Sequence, residues 1–184
     1  AIYEGADAIM LSAESAAGSF PIEAVQTMDN VAQEVEADPT YTEIIESSRK
    51  AQRNTVADGI VAAAREIAEA AHIAAICCFS QSGVTALLVA RERPRVPILA
   101  LTNEIRTARR LCLTWGTNCV LSGPVDRFKD AVIAAVRAAK AENMATEDDM
   151  IVITAGVPFN TPGSTNILRV APCAERLIYQ SESE

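Results

Sequence analysis

Two rhythms of apolar and polar residues run along this chain. Mostly apolar runs at 73–79, 96–101 and 150–154, with a shorter one at 118–121, lead into turn residues at Ser80, Thr102, Gly156 and Ser122. Runs of that length with turn signals at their ends predict buried strands. Between them apolar residues recur every three to four positions, which predicts helices. Thr55, with Asp58 three residues later, marks one helix start as a loose capping box, and its buried stripe is expected at Val56, Ile60, Ala63, Ala64, Ile67 and Ala71. Thr102 and Asn103 are expected to cap a helix over 104–112. Pro124 and Asp126 open another over 127–142, with Phe128, Val132, Val136 and Ala139 on one face. The loop over 156–166 holds two Gly and two Pro, so the strand expected at 167–170 is read as an antiparallel edge strand.

The first forty residues have their own pattern. A short strand is expected over 5–11. Ser19, Pro21 and Glu23 then read as a helix start, followed by Ile22, Val25, Met28, Val31, Ala32 and Val35 at helical spacing. Pro39, after an acidic run, marks a helix break and a domain boundary, with a short helix over 41–50 beyond it.

Strands alternating with helices from 55 to 154 predict an α/β domain: a mostly parallel five-stranded sheet between two helical layers. In such sheets ligands bind beyond the strand C-termini, where strand order reverses. If the order is 3-2-1-4-5, with the last strand antiparallel, that point lies between the first and fourth strands. Their exit loops, 80–85 and 156–166, are both rich in Gly, Ser and Thr. In the first loop Ser80, Ser82 and Thr85 offer hydroxyls, Gly83 lets a backbone come close to a ligand, and a helix N-terminus follows. Two readings stand side by side: a phosphate cradle, or a βα turn capped by Ser and Thr.

Composition narrows the function class. Hydrophobic residues make up 49% of 184, with only four Phe, three Tyr and one Trp, so the core is aliphatic. A net charge of −8 with dispersed acidic residues argues against nucleic acid as a partner. The five cysteines show no CxxC spacing and His72 is the sole histidine, so neither a zinc site nor a disulfide framework is expected. Buried free thiols point to a reducing, cytoplasmic compartment, with Cys77 and Cys78 on opposite strand faces and His72 as a helix C-terminal cap. No apolar run nears membrane-spanning length, so no membrane partner is expected. The chain opens at Ala1 inside a motif, which suggests a fragment, and the acidic tail 181–184 reads as frayed.

That motif carries a resemblance. Gly5-Ala6-Asp7-Ala8-Ile9-Met10-Leu11-Ser12-Ala13-Glu14-Ser15-Ala16-Ala17-Gly18-Ser19-Phe20-Pro21 is similar to the pyruvate kinase segment GADxxMLSGETAxGxYP, departing at Ala13 and Ser15. The resemblance implies that residues 1–38 are a remnant of the catalytic (β/α)8 barrel. It places Ser12 and Glu14 at the barrel mouth, near where pyruvate enolate is protonated. It also implies Mg2+ and K+ in the full-length enzyme, with ligands upstream of this chain, and no cofactor for the fragment.

Residues 39–184 resemble the C-terminal domain of the same family, closing with Gly163-Ser164-Thr165-Asn166 and Arg169-Val170. In regulated members a sugar-phosphate effector sits between these two loops, in a TxSGxT-type turn matched here by Ser80, Ser82, Gly83 and Thr85. The implied effector-binding set is Ser80, Gln81, Ser82, Gly83, Thr85, Gly163, Ser164 and Thr165. Gln81 and Val84 are neutral where some members carry basic residues, and the segment opening at Asp126 offers only Arg127 for a second phosphate. A sugar monophosphate or AMP is therefore expected rather than a bisphosphate. The resemblance further implies phosphoryl transfer from phosphoenolpyruvate to ADP in the full-length parent, a tetramer, and an inactive isolated fragment. The alternative from pattern alone is a generic phosphate- or nucleotide-binding domain without a catalytic role.

Overall fold

The acidic residue before a proline sets the geometry of the first forty-odd residues. In the computed structural model, which describes residues 1–49, 55–159 and 164–180, a short helix α1 (Ala13–Ala16) is followed by α2 (Pro21–Ala37) and α3 (Pro39–Arg49). Asp38 between α2 and α3 is extended, at φ −71° and ψ 128°, because the following proline ring disfavours helical geometry. Its carboxylate accepts the Thr40 N–H at 2.8 Å, which starts α3, and the Tyr3 hydroxyl at 2.8 Å. The Tyr3 and Tyr41 rings stand 6.5 Å apart, tilted by 56°.

The expected helix start holds at Pro21, the first residue of α2, with Phe20 as an N-cap that makes no side-chain bond. One expectation fails in this part. The strand expected over 5–11 is not formed. The Gly5 N–H instead closes a turn onto the Ile2 carbonyl at 2.9 Å, and residues 8–11 have no regular structure. A strand needs a neighbour to receive its backbone groups, and no described segment pairs with this one. The helical period of α2 is as expected, yet Ile22 and Val31 are 69% and 54% exposed.

The chain divides into two units, Ala1–Gln52 and Arg53–Glu184. The second begins with α4 (Val56–Ala70), whose capping box is formed: Thr55 Oγ1 accepts the Asp58 N–H at 3.1 Å and Asp58 Oδ2 accepts the Thr55 N–H at 2.9 Å. The expected stripe holds in part: Ala64 is buried and Ile60 and Ile67 are half-buried, but Val56, Ala63 and Ala71 are exposed and Val61, Ala62 and Ala68 are buried in their place. The inward face includes Asp58 and Arg65, buried because charged partners meet them.

After α4 come β1 (Ile73–Phe79), α5 (Val84–Arg91), β2 (Ile98–Thr102), α6 (Ile105–Leu111), β3 (Thr117–Leu121), α7 (Phe128–Ala141), β4 (Met150–Gly156), β5 (Thr165–Pro172) and α8 (Glu175–Gln180). α8 was not expected from the sequence. At the end of α5, Arg91 pairs with Asp58 of α4 at 2.7 Å, and Glu92, only 1% exposed, lies 3.4 Å from Arg91. These charges tie the C-terminus of α5 to α4. Breaking one partner of such a buried pair strands the other in low dielectric.

The sheet order is β3-β2-β1-β4-β5, parallel except for antiparallel β5. Cys77 pairs with Leu99 on one side and Ile153 on the other. Adjacent residues of β1 face opposite layers, as expected: Cys77 packs with α7 residues Val132 and Val136, Cys78 with α4 and α5 residues Val61 and Val89. α8 joins the α7 layer through Ile178, and α6 joins the α4–α5 layer through Leu111. Helices change sides where strand order reverses, between β1 and β4. Ile76, Leu99, Ile151 and Ile153 are fully buried, each worth roughly 1.5–3 kcal/mol of transfer free energy.

Candidate functional site

The turn from β1 into α5 is held by side chains from elsewhere in the fold. Gly83, the residue before α5, has φ +84°, a conformation that a Cβ would strain. A Cβ there would also lie 3.2 Å from the Thr107 methyl and 3.1 Å from the Arg110 guanidinium. Ser80 Oγ accepts the Thr85 N–H at 3.3 Å. On the outer side of the turn, the Thr107 hydroxyl donates to the Gln81 carbonyl at 2.8 Å and the Arg110 guanidinium donates to the Ser82 carbonyl. Both donors come from α6.

The facing wall comes from the end of β4 and the start of β5. Gly156 is required by close approach: a Cβ would fall 2.3 Å from Ser164 Oγ and 2.9 Å from the Ser164 backbone. Asn166 closes the intervening loop with its side-chain amide, accepting the Val157 N–H at 2.9 Å and donating to the Val157 carbonyl at 2.7 Å. The two walls touch where Thr85 and Thr165, both buried, bring their hydroxyls to 2.7 Å.

A cleft partly open to solvent lies between them. Ser80, Gln81, Ser82, Thr85, Ser164 and Thr165 line it. Gly83, the N-cap of α5, is not itself a lining residue, and Gly163 lies outside the described residues. The β2 and β3 exits add Thr102 and Asn103 on one side and residues 122–125 on another. Sequence reading took Thr102 and Asn103 for a helix cap. In the structure Glu104 is the N-cap of α6, Thr102 Oγ1 only accepts the Glu104 N–H at 3.2 Å, and Asn103 lines the cleft. Every parallel strand sends its exit loop to the same end of the sheet, and that signal would have found these residues.

Among the described residues, none that lines the cleft carries a formal charge. The cleft offers hydroxyls, backbone N–H groups and the positive end of the α5 dipole, a donor set suited to an oxyanion. Among the described residues no group of three or more His, Cys, Asp or Glu could hold a metal ion. Arg110 supplies a nearby cation that the residues of the turn itself lack.

Ser12 and Glu14 belong to the first unit. Glu14 lies in α1 and its carboxylate accepts its own N–H and that of Ser12, the latter at 3.2 Å; these bonds hold it below the usual carboxylate range. Here it serves its own helix N-terminus. Ser15 donates to the Ser12 carbonyl at 3.3 Å, and Ala13 is the first residue of α1.

The sequence matches the family model described as pyruvate kinase, alpha/beta domain, over residues 58–171. Pyruvate kinase of Methylorubrum extorquens is 44% identical over 171 residues, covering 93% of this chain and 36% of that protein. An Agrobacterium vitis pyruvate kinase is 44% identical, covering 92% and 36%, and that of Geobacillus stearothermophilus 38%, covering 92% and 29%. The chain thus spans about a third of the length of these curated relatives and corresponds to their C-terminal region. With the family model matching residues 58–171 and relatives 38–44% identical over most of its length, this chain belongs to the pyruvate kinase family and contains its α/β domain.

Proposed function

We propose that this chain is the C-terminal part of a cytoplasmic glycolytic pyruvate kinase, and that its cleft binds the phosphoryl group of a small effector. In this reading the full-length parent transfers a phosphoryl group from phosphoenolpyruvate to ADP, and works as a tetramer with Mg2+ and K+ held by residues outside this chain. Among the described residues the cleft lining has no carboxylate, so no step of the proposal runs through a metal here. The observation that carries the effector reading is the meeting of Ser80, Ser82 and Thr85 with Ser164 and Thr165 around one uncharged, donor-rich cleft. One set of donors at the N-terminus of α5 suits one phosphoryl group. Arg127, the candidate for a second, is the N-cap of α7 and is not among the lining residues. A hexose or pentose monophosphate, or AMP, therefore fits better than a bisphosphate. Residues 1–38 are assigned to the barrel remnant, with Ser12 and Glu14 as its active-site contribution.

The test is a thermal melt of the chain with and without ribose 5-phosphate at millimolar concentration. Binding to the folded state raises the melting temperature by mass action, and Ser82→Asp abolishes the rise by placing a carboxylate against the phosphate. No shift in the wild type, or an equal shift in Ser82→Asp, would overturn the effector reading. Phosphoenolpyruvate-dependent ATP formation by the purified chain alone would overturn its assignment as an inactive part.

A further inference from the structure

We infer that Thr107 and Arg110, both on α6, are positioning residues that turn the N–H groups of Ser82 and Gly83 toward an anion in the cleft. The inference rests on the phosphate reading above and goes beyond it, because neither residue lines the cleft. In a trans peptide the carbonyl of one residue and the N–H of the next point in opposite directions. Thr107 draws the Gln81 carbonyl toward α6, at 2.8 Å, so the Ser82 N–H points away from α6. Arg110 does the same to the Ser82 carbonyl, and the Gly83 N–H follows.

Ser82, whose φ is not positive, is followed by Gly83 at φ +84°. Opposite backbone hands in succession bring neighbouring N–H groups onto one anion-binding concavity. Neither N–H has a protein acceptor among the described residues. Two adjacent donors left without partners, in a turn whose carbonyls are both held from behind, form a site arranged for an oxyanion. Thr107 is 7% exposed and packs against Gly83, so it has little freedom to release its carbonyl. α6 thereby couples to the ligand without touching it.

The experiment titrates inorganic phosphate into the full chain and follows the amide signals of Ser82 and Gly83 by 15N–1H NMR. Wild type is expected to show saturable shifts at both amides. Thr107→Val, which keeps the shape and removes the donor, is expected to weaken phosphate binding by about fivefold and shrink both shifts. Thr107→Ser restores them, as a packing role would not. Arg110→Gln, at an exposed position, weakens binding in the same direction and guards against a folding defect in the Thr107 variant. Wild-type affinity and unchanged amide shifts in both Thr107→Val and Arg110→Gln would overturn the positioning role and leave the phosphate reading standing. Absence of any shift in the wild type would remove both.

Discussion

The hydroxyls of Thr85 and Thr165 lie 2.7 Å apart although 80 residues separate them in sequence. Thr85 sits in the first turn of α5 and Thr165 begins β5, so this bond joins the two walls of the cleft at its base. Both side chains are buried, so a hydroxyl that loses its partner has little access to water. Thr85→Val is expected to destabilise the second unit by about 1–3 kcal/mol, since it strands the Thr165 hydroxyl. The double variant Thr85→Val, Thr165→Val should cost less than the sum of the single changes. Urea denaturation of the four proteins measures this coupling, and strict additivity would show that the bond contributes nothing.

Gly156 is the second point of close approach. In Gly156→Ala the new methyl meets the Ser164 backbone at 2.9 Å as well as its hydroxyl. A hydroxyl can rotate away, but the backbone cannot without moving β5. The expected cost is about 1–3 kcal/mol of stability. Removing the hydroxyl in Gly156→Ala, Ser164→Ala should recover little of it. Full recovery would place the clash in the side chain alone.

Acid should loosen the entry to β4. Asp149 accepts the Thr146 hydroxyl and N–H, each at 2.7 Å, and these bonds hold its carboxyl below the ordinary aspartate range. A folded-state pKa below the unfolded one means that the unfolded chain binds more protons. The resulting stability is present above about pH 4 and is lost as pH falls through the lower folded value. Asp149→Asn should therefore flatten the pH dependence of the melting temperature below about pH 4. An unaltered slope would assign the acid sensitivity to other carboxylates.

The five cysteines should differ sharply in reactivity. Burial pushes the Cys77 and Cys78 thiols far up, and burial with the nearby Asp149 carboxylate raises Cys173 to about 11. Cys112 is exposed at the end of α6. Alkylation of the native chain at neutral pH, read by peptide mass mapping, should label Cys112 first, because it alone of the five is exposed. Early labelling of Cys77 or Cys78 would contradict the buried placement of β1.

Much of the fold was legible in the residue pattern. Apolar runs leading into turn residues marked four of the five strands, and a loop with two Gly and two Pro marked the fifth, β5, as antiparallel. The Thr55–Asp58 box marked the start of α4, because a capping signature is local chemistry. The facing of α4 was not legible. Its inward side is decided by Arg91 and Glu92, distant in sequence, which make Asp58 and Arg65 inward residues. The strand expected over 5–11 failed for the same kind of reason, since a ladder exists only where a second strand supplies it.

The cleft divides in the same way. Ser80, Ser82 and Thr85 could be read as a hydroxyl-rich turn before a helix, and 156–166 as a second loop of similar chemistry. Short-range sequence determines turns and caps, because their hydrogen bonds close within a few residues. Only tertiary structure decided that Thr85 meets Thr165, that Asn103 and residues 122–125 complete the walls, and that α6 holds the turn from behind. Those relationships depend on strand order and on which helix packs beside which. They are set by burial of the whole aliphatic core, and no local run of residues encodes that.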